Sequence, residues 1–328
     1  MGGDNAPASV VEGAVLAARG EPIDLILVGD QTAVSAELAR HAPASNIRVV
    51  HAPTTVGMEE SPALVVRRRR DSSIWRATEL VAHGDAQAVV SAGHTGASMA
   101  TAFFLLGTLQ GVERPAIATI LPTLHGNAVL LDVGATVDSK PQHLVQFAIM
   151  GQVYAQRMLS KPSPRVGLLS IGEEDTKGNE LTKEAFKLLK QSAVNFIGNV
   201  EGRDVYTGDA DVIVCDGFIG NVALKISEGL AEAIMQVLRR EITQSIGGRV
   251  GFLLLRPAFR RFKRRVDYAE YGGAPLLGIN GVSIICHGRS SPKAIMNAVR
   301  VARDFVVGQV NRHIREDLDR HMAGPVRN

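Results

Sequence analysis

One unit recurs along this chain and constrains it more than any other feature: a short, continuously apolar run, a glycine-containing loop, then an amphipathic helical stretch. The runs at 24–28, 88–91, 129–133, 166–171, 211–215 and 282–286 are followed by GDQ, AGHTG, GATVDSKP, GEEDTKG, DGFIGN and HGRSSP. Strands that alternate apolar and polar residues bury one face, whereas unbroken apolar strands are covered on both, as in a parallel sheet flanked by helices. Pro141 and Pro292, each with polar residues just before it, fit the first position of a helix. These signals predict a doubly wound, mostly parallel α/β sheet. Its ligands are expected beyond the carboxyl ends of the strands.

One stretch breaks the rhythm. Residues 221–245 read as a long helix, and 222–271 as a helical hairpin standing off a single α/β unit that spans 1–328. Between Arg249 and Arg265 lie seven cations and no acid. The chain's formal charge is +3, and without those seven it would be −4, so the basicity is local and points to a local anionic partner. Pro257 is expected to start a helix, with 252–255 as an apolar tip before it. Phe252, Leu255, Phe259 and Phe262 recur at three- or four-residue steps, while Arg260, Arg264 and their basic neighbours fill the remaining positions. A helix that is aromatic on one side and cationic on the other suits an anionic membrane surface. Packing on a second copy, or docking of an acidic protein, would use the same pattern. Nucleic acid fits poorly, because aromatic residues are only 5% of the chain.

No apolar run approaches the ~20 residues that cross a bilayer, and no N-terminal basic-then-apolar segment is visible. Cys215 and Cys286 lie in apolar runs without paired spacing, which predicts reduced thiols in a cytoplasmic protein.

Five of the loops combine glycine with a hydroxyl, amide or cation: 93–96, 134–136, 172–178, 217–221 and 288–291. Backbone N–H groups at a helix start form an anion site where no Cβ intrudes. Five such loops on one sheet edge predict one. None is a Walker A loop or a G-x-G-x-x-G fingerprint, so neither nucleotide nor other cofactor is indicated, and no aspartate cluster suggests a metal. The sharpest stretch is CDGFIGNVALK. Asp216 and Asn221 flank the turn carrying Gly217 and Gly220, and Lys225 sits four residues after Asn221 on the same helical face. Amide and ammonium together can hold phosphate oxygens or a developing oxyanion; equally, they can be a helix cap and a solvated cation. Lys177 follows the acids Glu173, Glu174 and Asp175, as a ligand or as their neutralising neighbour. His94 can donate to an anion or shuttle a proton. Asp132 ends a strand, orienting a cation or capping the next turn. The run Arg67–Arg70 is an anion grip or a solvated helix face.

Together MGGDNAP, SAGHTGASM, LDVGATVD, IGEEDTKG, CDGFIGNVALK and YGGAPLLGINGVSIICHGRS resemble the phosphate acyltransferases of bacterial phospholipid synthesis, in family order over residues 1 to about 291. The resemblance implies a homodimeric fold like the isocitrate and isopropylmalate dehydrogenases and the phosphotransacetylases. It implies acyl carrier protein thioester as donor, inorganic phosphate as acceptor, and acyl-phosphate passed to a membrane glycerol-3-phosphate acyltransferase. The enzyme would be cytoplasmic and peripherally associated with the inner face of the cell membrane. Three departures stand out: the family's usual strand before MGGD is not in this sequence, His94 stands where Asn is common, and Thr136 likewise. Phosphate is expected among Asp4, Asn5, Gly93, Thr95, Gly96, Gly217 and Gly220. His94, Asn221, Lys177 and Lys225 would do the chemistry, with Asp132 and Asp216 orienting the lysines. A coenzyme A-dependent phosphotransacetylase, and a non-catalytic scaffold that recruits the carrier protein, are the competing readings.

Overall fold

A computed structural model describes residues 1–266 and 271–322. The side chains of Ile246, Arg249, Arg260, Arg261, 263–266 and Met322 fall outside that description, so the surface expected at Arg260 and Arg264 is followed through its aromatic members alone. The strands are β1 Leu25–Gly29, β2 Ile47–His51, β3 Ala88–Ser91, β4 Ala116–Thr123, β5 Gly126–Leu131, β6 Val166–Leu169, β7 Phe196–Val200, β8 Val212–Val214, β9 Ala274–Leu277 and β10 Val282–Ile285. The helices are α1 Ala8–Gly20, α2 Gln31–Leu38, α3 Pro62–Arg68, α4 Ser73–Ala82, α5 Thr95–Leu106, α6 Pro141–Met158, α7 Glu180–Lys190, α8 Gly217–Thr243, α9 Ile246–Val266, α10 Pro292–Val307 and α11 Val310–Met322.

β1 and β2 pair in parallel at one side, and the other strands form an eight-stranded sheet in the order β3-β10-β9-β4-β5-β8-β6-β7. β3 and β10 are parallel, as are β5, β8, β6 and β7, but the three pairings through β9 and β4 are antiparallel. The doubly wound, mostly parallel α/β class is therefore as the sequence predicted. The single edge for all five loops is not: β3 and β10 run opposite to β5, β8 and β6, so their carboxyl ends leave by opposite edges.

Burial on both faces explains the unbroken apolar strands. In β5, Val129 and Leu131 join one core cluster while Ala128 and Leu130 join the other. In β8, Val212 and Val214 face the first and Ile213 the second. One cluster also carries α6, α10 and α11, and the other carries α5 together with Leu224 of α8. Pro141 and Pro292 occupy first helical positions, as expected.

Along the hairpin two expectations change. α8 starts at Gly217 rather than 221, and α9 starts at Ile246 with Pro257 inside it. Residues 252–255 are thus helical, not a tip before a helix. Pro257 donates no i→i−4 hydrogen bond and crowds the carbonyl of Leu253, and because both residues are exposed that carbonyl can tilt outward and be hydrated. Phe252 and Phe259 pack as a tilted pair, ring centroids 5.0 Å apart at an interplanar angle of 41°, while Leu255 and Phe262 are exposed. α8 buries only Gly217 and Gly220 among its 27 residues. A row of apolar side chains from Phe218 through Val222, Ile226, Leu230 and Ile234 to Leu238 faces outward at four-residue steps.

α1 packs on α10 at Gly13. A Cβ there would lie 2.5 Å from Ile295 Cβ and 2.6 Å from the Pro292 carbonyl oxygen. Gly13→Ala should destabilise the protein in urea unfolding by about 1–3 kcal/mol through overpacking. Gly229→Ala, in open space on α8, should leave stability unchanged or raise it by up to ~1 kcal/mol through helix propensity.

Candidate functional site

The loop contacts assemble in two sets. In the first, the amino-terminal loop is threaded between the loops after β3 and β10. Gly3 has no room for a side chain, since a Cβ would lie 2.4 Å from the Ala92 carbonyl oxygen and 3.1 Å from that of Gly288. The Asp4 N–H donates to the Gly288 oxygen at 2.9 Å, and the Asp4 carboxylate lies 3.9 Å from exposed Arg289. Asp4 and Asn5 are exposed at this junction. His94 is the N-cap of α5: its Nδ1 accepts the Ala97 N–H at 3.1 Å, and the His94 carbonyl accepts Ser98 N–H at 2.9 Å. Accepting at Nδ1 fixes the neutral tautomer, so Nε2 carries the proton and is left to donate. Among the described residues, the N–H groups of Thr95 and Gly96 have no acceptor. Two free donors, a His N–H and a helix start make this the anion-ready end of the molecule.

The second set is built around Asp132. Its side chain is fully buried, and the Leu131–Asp132 peptide is cis. Oδ1 accepts N–H bonds from Ile117 (2.9 Å), Gly134 (3.0 Å) and Ala135 (2.9 Å), and Oδ2 accepts that of Thr136 at 2.6 Å. Thr136 continues inward through its hydroxyl to the Pro115 oxygen at 3.0 Å. The start of α8 seats on this loop. Gly217 N–H donates to the Thr136 oxygen at 2.9 Å, and a Cβ on Gly220 would lie within bonding distance of the Asp132 oxygen. Only glycine allows that approach.

Two expectations are corrected here. Asp132 orients no cation; it caps a loop, which is the alternative reading. Asp216 likewise caps α8, its Oδ1 accepting Phe218 and Ile219 N–H at 3.0 Å each. With Gly217 N–H on Thr136 and Gly220 N–H on the Asp216 carbonyl, all four leading N–H groups of α8 are taken. The 217–220 turn therefore offers phosphate no backbone donor. What α8 presents is side chains: Asn221 against Gly134, which has φ +133° and where a Cβ would stand 3.2 Å from the Asn221 amide nitrogen, and exposed Lys225 one turn on.

The loop after β6 leaves the same edge as this second set, since β5, β8 and β6 are consecutive and parallel. Its acids do not neutralise Lys177. Glu173 pairs with Arg203 at 3.3 Å and Asp175 with Lys190 at 3.4 Å, while Lys177 is exposed with no ion pair among the described residues. Below it, Ser170 Oγ and Asn199 Oδ1 are buried without a partner. Neither was singled out from the sequence, although an Asn inside the strand run FIGNV was a visible anomaly.

Both thiols are buried and inert. Burial pushes the Cys286 thiol up to about 12, and burial with the nearby carboxylates Asp132 and Asp216 raises that of Cys215 well above the usual thiol range. No group of His, Cys, Asp and Glu suited to a metal occurs among the described residues.

The fold is shared with solved phosphotransacylases. A phosphotransacetylase from Streptococcus pyogenes superposes with TM-score 0.65 at 16% identity, over 92% of each chain. The EutD phosphotransacetylase of Staphylococcus aureus gives 0.61 at 18%, over 94% of this chain and 96% of that one. The class of fold is thus the α/β architecture of the phosphotransacetylases. Residues 1–313 match the model of the family described as fatty acid synthesis protein. The chain is 58% identical to a phosphate acyltransferase of Syntrophotalea carbinolica and 53% identical to one of Pelotomaculum thermopropionicum, over 97% of this chain and 92% and 93% of theirs. It belongs to this family of phosphate acyltransferases and is a transferase.

Desolvation pushes the Asp132 carboxyl up to about 6 from 3.8, against the downward pull of its four N–H partners. The folded protein therefore holds this proton more tightly than the unfolded chain. Its contribution to stability is full below the unfolded value and is lost as pH rises through the folded one. Between about pH 4 and pH 7.5 the stability of the unaltered protein relative to Asp132→Asn should fall by about 2–3 kcal/mol. Urea unfolding of both proteins at the two pH values checks this, and a difference that does not change with pH contradicts it.

Proposed function

We propose that the protein transfers a fatty acyl group from the thioester of acyl carrier protein to inorganic phosphate. A phosphate oxygen attacks the thioester carbon, the carbon–sulfur bond breaks, and acyl-phosphate leaves together with the free thiol of the carrier's prosthetic arm. The observation that carries the reading is the contrast between two helix starts. α5 keeps the Thr95 and Gly96 N–H groups and His94 Nε2–H unspent, as phosphate requires, while α8 has used its N–H groups and offers Asn221 and Lys225 as side chains. Phosphate is already anionic near neutral pH, so it needs positioning more than a base. Met99 of α5 and Leu224 of α8 pack against one core cluster, and in this reading α8 carries Lys225 back over the sheet toward the α5 start, where its charge, with that of Lys177, stabilises the oxyanion at the thioester carbon. A thiolate leaves readily, and neither buried cysteine suits a covalent acyl intermediate.

In this reading the step stands at the head of bacterial phospholipid synthesis, ahead of a membrane glycerol-3-phosphate acyltransferase, and the match to a fatty acid synthesis family supports it. No helix of the described residues is long and apolar enough to cross a membrane. Contact with an anionic inner-membrane surface then falls to α9, through Leu255, Phe262 and the Phe252–Phe259 pair. The outward apolar row of α8 suits a second copy of the chain.

Long-chain acyl carrier protein with phosphate should yield acyl-phosphate, and the matching acyl-coenzyme A little or none. Product from coenzyme A alone would move the protein to phosphotransacetylase chemistry. Lys225→Ala should lower kcat about 100-fold or more without changing the unfolding midpoint. Phe259→Glu should abolish flotation on phosphatidylglycerol vesicles; normal flotation would remove α9 from the membrane.

A further inference from the structure

The amino-terminal part of the molecule holds a second basic surface, far along the sequence from α9. Four arginines, 67 to 70, close α3, and the structure divides their roles. Arg69 is structural: its Nε donates to Glu60 at 2.9 Å, and Glu60 also accepts the Gly57 N–H at 2.9 Å. Arg70 lies over the Trp75 ring, its guanidinium carbon 5.4 Å from the ring centroid. Arg67 and Arg68 are exposed and have no acidic partner among the described residues, although Arg40, Arg76, Arg165, Arg203 and Arg312 all do. Of the acids close in sequence, Glu60 holds Arg69, Asp71 accepts the Thr54 hydroxyl at 3.0 Å, and exposed Glu59 forms no ion pair with the arginines among the described residues. Cations favour the last turn of a helix, but that preference is satisfied by one or two charges and is worth less than ~1 kcal/mol each when exposed.

Position distinguishes this patch from a solvated face. α3 begins at Pro62, whose ring packs on Gly96: a Cβ there would lie 2.8 Å from Pro62 Cγ. The helix has seven residues and so reaches about 10 Å from the α5 start. Exposed Leu64 lies on it, and exposed Met58 packs at Gly288 beside Asp4. An apolar and basic surface therefore borders the anion-ready loop itself.

We infer that Arg67 and Arg68, with Arg70 and Leu64, form the surface on which the acidic carrier protein docks to deliver its thioester to the α5 start. This rests on the reading of acyl carrier protein as donor. Unpaired guanidinium groups on a rigid helix steer an acidic partner and set its orientation without entering the chemistry. The basic α9 is left free for the membrane surface.

The test is steady-state kinetics of acyl-phosphate formation by the full chain, with Arg67→Glu/Arg68→Glu and Arg67→Lys/Arg68→Lys beside the unaltered protein. The charge reversal should raise KM for the carrier-protein thioester tenfold or more with kcat within twofold. The lysine pair should stay within about threefold of the unaltered KM, and all three should unfold at the same temperature and float alike on phosphatidylglycerol vesicles. An unchanged KM in the reversal variant overturns the proposal, as does a fall in kcat with KM unchanged. Loss of flotation with KM unchanged also overturns it and assigns the patch to lipid. Absence of turnover by the unaltered protein with the carrier-protein thioester overturns instead the functional reading on which the proposal rests.

Discussion

One carboxylate with four backbone N–H partners is the constraint on which the rest of the site depends. Asp132 is fully buried, and it ties the end of β5 to the start of β4 through Ile117 while folding the following loop back on itself through Gly134, Ala135 and Thr136. A buried charge is tolerated only when its hydrogen bonds are complete, and here the donors are peptide groups with no freedom to leave. The loop so fixed becomes the seat of α8: Gly217 and Gly220 are its contact points, and both lack a side chain because the Asp132 and Thr136 backbones occupy that space. Asn221 and Lys225 inherit their positions from this arrangement. Their placement is thus decided by a group that touches no ligand.

The starts of α5 and α8 differ in how they spend their N–H donors. At α8 every leading N–H is consumed by the protein, which makes that end rigid and leaves its chemistry to side chains. At α5 the cap is a histidine that satisfies one donor and leaves two, and its other ring nitrogen carries a proton outward. Oppositely directed strands carry these two ends, and a shared core cluster holding Met99 of α5 and Leu224 of α8 lies beneath both helices.

The strands that alternate between two buried faces were legible, because continuous apolarity and glycine-bearing loops are written locally. So were the helix starts at Pro141 and Pro292. The antiparallel β9 and β4 were not: APLL and AIATILPT are short or carry a proline, and the reversal of direction they impose is a matter of pairing rather than composition. That reversal is why the five loops do not share one edge. Pro257 misled for a related reason, since a helix with solvent on most sides tolerates a proline that a packed one would not. The role of Asp132 was written in the sequence as two options, whereas the cap of α8 was sought at Asn221 and Asp216 was read only as a partner for a cation; the geometry of their N–H partners makes both aspartates caps. Ser170 and Asn199 escaped notice because a single polar residue in a strand gives no spacing pattern to follow.

We propose that phosphate sits on the α5 start rather than on the α8 turn. Amide proton and nitrogen resonances followed during titration with inorganic phosphate test it most directly. Thr95 and Gly96 should shift in a saturable way while Gly217 and Gly220 stay in place. Shifts at Gly217 and Gly220 with Thr95 and Gly96 unmoved would contradict it.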